Sequence, residues 1–77
     1  MSCAACEIRS EGGFHSPGED LELEATLRDH PVLRPIPAPD GWTSYGLEEE
    51  FYRCTQCRQE WHHAHPDAPY KGSWEKL

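Results

Sequence analysis

The sequence predicts a small β-rich domain whose core is too thin to hold it together without a staple. Three observations lead there. The chain has 77 residues, only 36% of them hydrophobic, with a mean hydropathy of -0.84; chains this short usually rely on disulfides, a metal or a partner. Its cysteines fall as two pairs of identical internal spacing, Cys3-Ala4-Ala5-Cys6 and Cys54-Thr55-Gln56-Cys57. The second pair sits between Phe51-Tyr52 and the alternating residues Trp61, His63 and His65, the pattern of a hairpin with one apolar face.

The cysteine spacing names the staple. Two residues between thiols let both sulfurs of a pair turn toward a common point about 2.3 Å away, and two such pairs close a tetrahedral four-sulfur shell around Zn2+. A disulfide framework has no reason to repeat the C-x-x-C spacing, and a redox dithiol needs only one pair. Cys3, Cys6, Cys54 and Cys57 are therefore the expected ligands of one structural zinc ion, worth on the order of 10 kcal/mol at neutral pH. Four thiolates and one Zn2+ take the formal charge from -7 to -9. The ligand pairs lie on both sides of the proline-rich stretch at residues 31–41, so residues 1–77 are read as a single domain. A four-cysteine shell has no open position for water or substrate, and no nucleophile triad or Gly-rich phosphate loop stands out, so no enzyme is expected.

Between the pairs, Ser10-Glu11-Gly12-Gly13 and Ser16-Pro17-Gly18 read as turns. Over residues 19–29, Leu21, Leu23, Ala25 and Leu27 alternate with Glu22, Glu24 and Thr26, a two-residue period that favours a half-buried strand. The same residues are good helix formers, with Leu23 and Leu27 four apart. Pro31, Pro35, Pro37 and Pro39, ending in Pro39-Asp40-Gly41, predict a stiff extended connector closed by a turn. The stretch 42–53 brings Trp42, Tyr45, Leu47, Phe51 and Tyr52. After Cys57, residues 59–65 return as the second hairpin strand with Trp61, His63 and His65 on one face, and Tyr70 and Trp74 in the tail are placed to pack back on it. Trp42, Trp61 and Trp74 are the large apolar side chains such a core needs; any of them left exposed beside acidic groups becomes a natural interface anchor.

On the four cysteines and the strands around residues 51–65 the chain resembles a zinc ribbon. The resemblance implies two tight C-x-x-C knuckles with backbone N–H groups directed at the sulfurs. Ribbon knuckles often carry Gly after the second cysteine, where the backbone is left-handed; here Glu7 and Arg58 stand there, at a cost of about 1 kcal/mol each. The order Tyr52-Arg53-Cys54-Thr55-Gln56-Cys57, Trp61, then His65-Pro66-Asp67-Ala68-Pro69-Tyr70-Lys71-Gly72 is also similar to small bacterial toxin-immunity proteins, which implies an inhibitor that neutralises a toxin by binding it.

Charge points the same way. Fourteen Asp and Glu face seven Lys and Arg, which disfavours a nucleic-acid binder, since such proteins carry a basic surface. Glu22 and Glu24 in one acidic segment, and Glu48, Glu49 and Glu50 in another, are expected to form with Trp42 a surface for a basic protein partner. The alternative is a zinc-ribbon accessory of transcription or RNA processing, with Arg9, Arg53, Arg58 and Lys71 clustered. The histidines His62, His63 and His65 read as a polar strand face; the sharper reading puts one of them on a metal, at the cysteine site or a second one. No apolar run reaches the roughly 20 residues of a membrane helix, and Met-Ser-Cys-Ala-Ala-Cys lacks the basic and apolar regions of a signal peptide, so a cytoplasmic protein without a membrane partner is expected.

Overall fold

The computed structural model describes residues 3–43 and 48–77. Five strands form one antiparallel sheet: β1 (Gly12–Gly13), β2 (Leu33–Ile36), β3 (Glu49–Cys54), β4 (Glu60–Ala64) and β5 (Ser73–Lys76), in the order β1-β5-β4-β3-β2. One helix, α1 (Pro17–Arg28), lies between β1 and β2 in the chain. The expected hairpin is β3–β4, with Tyr52 opposite Trp61 and Glu50 opposite His63. The tail returns as β5, where Trp74 sits opposite His63 and stacks on Trp61 at 4.9 Å between ring centroids.

Side chains alternate across a strand, so the register fixes two faces. One carries Glu50, Tyr52 and Cys54 of β3, Trp61 and His63 of β4, and Trp74 of β5. This face is the covered one: Cys6, Phe14, Leu23, Leu27, Leu33, Tyr52, Cys54, Trp61 and Trp74 form a single buried cluster. The other carries Glu49, Phe51, His62 and Glu75.

The strand expected over residues 19–29 is instead α1. Leu, Glu, Ala and Arg lose little side-chain freedom in a helix, Pro17 occupies the first turn, Glu19 and Asp20 lie at the N-terminal end and Arg28 at the C-terminal end, as the helix dipole favours. Burial decides between the two periods. Asp20, Leu23 and Leu27 are the buried residues, a three-and-four spacing, while Leu21 is 63% exposed. A strand would have buried Leu21 with Leu23. Past the helix, the His30 imidazole Nδ1 accepts the N–H groups of Val32 and Leu33, turning the chain toward the sheet.

The proline-rich stretch is not wholly a connector, because Leu33–Ile36 pairs with β3 as an edge strand. Thr55 N–H donates to the Val32 carbonyl, so by alternation Pro35 turns its ring nitrogen to the open edge, where no ladder bond is lost. The three tryptophans divide between core and surface. Trp61 and Trp74 are buried, but Trp42 is 38% exposed. Tyr45 and Leu47 lie outside the described residues.

Gly72 joins the tail to the core. Its φ of +83° suits glycine, and a Cβ there would lie 2.7 Å from the Ala64 carbonyl oxygen and 2.8 Å from the Phe14 ring, while its own carbonyl accepts the Phe14 N–H. Gly72→Ala is expected to destabilise the domain by about 2 kcal/mol through strain and clash, read as a fall in Tm of about 10 °C; an unchanged melt would contradict the close approach.

Candidate metal centre

The two C-x-x-C pairs are built alike. In each, the residue after the second cysteine donates its N–H to the carbonyl of the first, Glu7 to Cys3 at 3.1 Å and Arg58 to Cys54 at 2.9 Å. Arg58 adopts the left-handed backbone a knuckle asks for, at φ 67°, and is the one non-glycine residue with positive φ among those described; Glu7 does not share it. The second knuckle is the turn of the β3–β4 hairpin. The first is held against it by Cys6, which like Cys54 is fully buried.

The four sulfurs converge. Cys3 Sγ lies 3.7 Å from Cys54 Sγ and 4.0 Å from Cys6 Sγ, and Cys6 Sγ lies 3.6 Å from Cys57 Sγ; all four lie within 4.8 Å of one another. A tetrahedral shell with metal–sulfur bonds of about 2.3 Å has sulfur–sulfur edges of about 3.8 Å, so the cluster has the dimensions of a four-thiolate metal site. A disulfide would bring two sulfurs to about 2.05 Å, and all four cysteines are free.

The thiols are not equivalent. Burial pushes Cys6 up to about 12, whereas the backbone of Gln59 draws Cys57 down to about 6. Cys57, half-buried at the hairpin turn, is thus more readily ionised than Cys6. Trp61 Nε1, in the same buried cluster as Cys6, has no hydrogen-bond partner among the described residues.

His63 and His65 lie apart from the sulfurs in a cluster of their own, while His62 is on the opposite face of the sheet against Phe51. Asp20 of α1 meets His63 Nε2 at 2.6 Å and His65 Nδ1 at 3.3 Å. His65 Nε2 lies 2.7 Å from Glu50, whose other oxygen accepts the Tyr52 hydroxyl at 2.5 Å. Tyr52's hydrogen bond holds Glu50 below the usual carboxylate range, and burial lowers His63. For His65 burial acts downward but is outweighed by the hydrogen bonds to Glu50 and Asp20, so it is raised.

Comparison with known protein families, curated proteins and solved structures found no match.

The six residues expected to bind a partner do not share one face. Trp42 stacks edge-on against Phe51 and His62 at about 5 Å and donates its indole N–H to Glu49 at 2.7 Å, so these two belong together. Glu50, one residue on, points to the opposite side of the sheet, where Glu24 joins it beside His65. Glu22 is exposed on α1, and Glu48 is exposed just before β3. Sequence reasoning missed Asp20 altogether. Its signal is the helical spacing to Leu23, Glu24 and Leu27, which is hidden as long as the segment is read as a strand. No helix among the described residues is long and apolar enough to cross a membrane.

Cys54→Ser is expected to remove the metal of this centre and to unfold the chain, because a buried hydroxyl cannot replace the thiolate; elemental analysis and circular dichroism check it. Metal retention should also fall as pH is lowered and protons compete for the four sulfurs. An intact fold with unchanged metal content would remove the structural role.

Proposed function

We propose that this chain is a zinc-stapled, non-enzymatic protein-interaction module of zinc-ribbon type, acting in the cytoplasm as an immunity-type inhibitor that caps a basic protein. Zinc fits the centre best, since four thiolates in a tetrahedral arrangement suit a borderline-soft ion with no geometric demand of its own. The ion's work there is mechanical, and its shell leaves no position for a substrate.

The observation that carries the interaction reading is Trp42. It is a large aromatic side chain left partly open to solvent, propped upright on Phe51 and His62 rather than lying loose. Its one polar atom is already satisfied by Glu49, so docking against its ring desolvates no unpaired donor. Tryptophans in such settings dominate binding energies. Glu75, across the ladder from His62, adds a second carboxylate beside the trio, and the net charge of -7 steers a basic partner from a distance.

The accessory-factor alternative needs free, clustered cations. Arg9 is instead paired with Glu19 and Arg53 with Glu60, and Arg9 also lies over the Phe14 ring. Those pairings favour the protein-binding reading.

The test is affinity capture from the source cell with wild type and Trp42→Ala side by side, with and without nuclease. The expected result is a basic protein retained by wild type in the presence of nuclease and bound at least about 10-fold more weakly by Trp42→Ala. With that partner purified, Glu49→Lys should slow association at low salt. Capture of nucleic acid, or a partner bound equally by the variant, would overturn the reading.

A further inference from the structure

We propose that Asp20, His63 and His65 form a second metal site, distinct from the cysteine centre, and that a divalent borderline ion such as Zn2+ bound there clamps α1 to the sheet. The donor set is one such ions accept: two imidazoles and one carboxylate, with the remaining position open to water. One ligand atom from each of Asp20, His63 and His65 lies within 4.8 Å of the others, and Glu24, Glu50 and His65 satisfy the same criterion as an overlapping set.

The fold assembles these groups by three independent periodicities. His63 and His65 are two apart along the β4 segment and so share a face. Glu50 is the cross-strand neighbour of His63. Asp20 and Glu24 are four apart on α1, one above the other on one side of the helix. α1 and the β4 segment therefore deliver Asp20, His63 and His65 to one point, while Glu50, its other oxygen held by Tyr52, meets the far nitrogen of His65, the kind of outer contact that metal-binding histidines use.

Charge supplies the second argument. Asp20, Glu24 and Glu50 converge here, and among the described residues the ion pairs of Asp20 and Glu50 are with histidine alone. The Asp20 side chain is only 10% exposed and that of His63 is 0% exposed. A carboxylate in that position needs a positive partner, and a divalent ion at this point supplies more charge than a single imidazolium. His63 presents Nε2 to Asp20 at 2.6 Å, and this is the nitrogen that a cation bound by both would take.

Cobalt(II) and zinc(II) titration of tag-free wild-type protein tests this. The expected result is two ions per chain. The first cobalt equivalent brings thiolate charge-transfer absorption, and the second adds ligand-field absorption with no further growth of the thiolate band. His65→Gln should lose the second equivalent and keep the first with its thiolate band unchanged, while His15→Gln, at an exposed histidine, should keep both. A wild-type chain that saturates at one ion overturns the proposal, as does a second equivalent that survives in His65→Gln or that enlarges the thiolate band. The wild-type stoichiometry decides the matter even where His65→Gln does not fold.

Discussion

The convergence of four sulfurs is the constraint on which the rest of the molecule depends. It joins positions 51 residues apart, and closing so long a loop by weak contacts alone would set an entropic cost against a very small core. The junction is not an appendage. Cys6 and Cys54 are members of the same buried cluster as Leu33, Trp61 and Trp74, so the floor of the core is made of sulfur. As thiols these atoms are poor partners for one another; as thiolates without a cation they repel at less than 4 Å. With an ion held among the four sulfurs, folding and ion binding would be one equilibrium at this end of the sheet.

The sheet divides the remaining work between its faces. On the covered face, Tyr52, Trp61 and Trp74 form an aromatic band against which Leu23 and Leu27 of α1 pack. On the opposite face, Phe51 and His62 stack nearly parallel at 5.0 Å and carry Trp42 as a half-open cap. A single hairpin thus builds both a core and an exposed aromatic platform, because alternate residues of each strand report to different sides. That alternation also separates Glu49 from Glu50, although they are adjacent in the chain.

Legibility in the sequence follows the range of the interaction. The C-x-x-C pairs were readable because a knuckle is a local object whose spacing carries its geometry. The hairpin and the shared face of Trp61, His63 and His65 were readable from the two-residue period. The acidic run at residues 48–50 was readable too, had the same period been applied to it: a strand through Glu49 and Glu50 cannot present both to one partner. The helix was not. Leu21, Leu23, Ala25 and Leu27 fit either period, and what breaks the tie is a contact 43 residues distant, Asp20 with His63. The edge strand at Leu33–Ile36 was hidden for a related reason. Prolines exclude a central strand, and only the identity of the neighbour shows that this one lies at the edge.

Along the covered face the β3–β4 hairpin carries three bands in order. Cys54 and Cys57 lie at its turn, Tyr52 and Trp61 in the middle, and Glu50, His63 and His65 at its open end. Four residues of strand separate Glu50 from Cys54, about 13 Å at the usual rise. Each polar band receives its partners from the N-terminal part of the chain, Cys3 and Cys6 at one end, Asp20 and Glu24 at the other. The segment before β2 is therefore fixed to the hairpin at two points by charge-bearing groups and between them by apolar contact. The apolar middle does two things at once: it supplies the burial that a thin core has, and it holds the sulfur cluster and the carboxylate–histidine cluster apart as two separate sites.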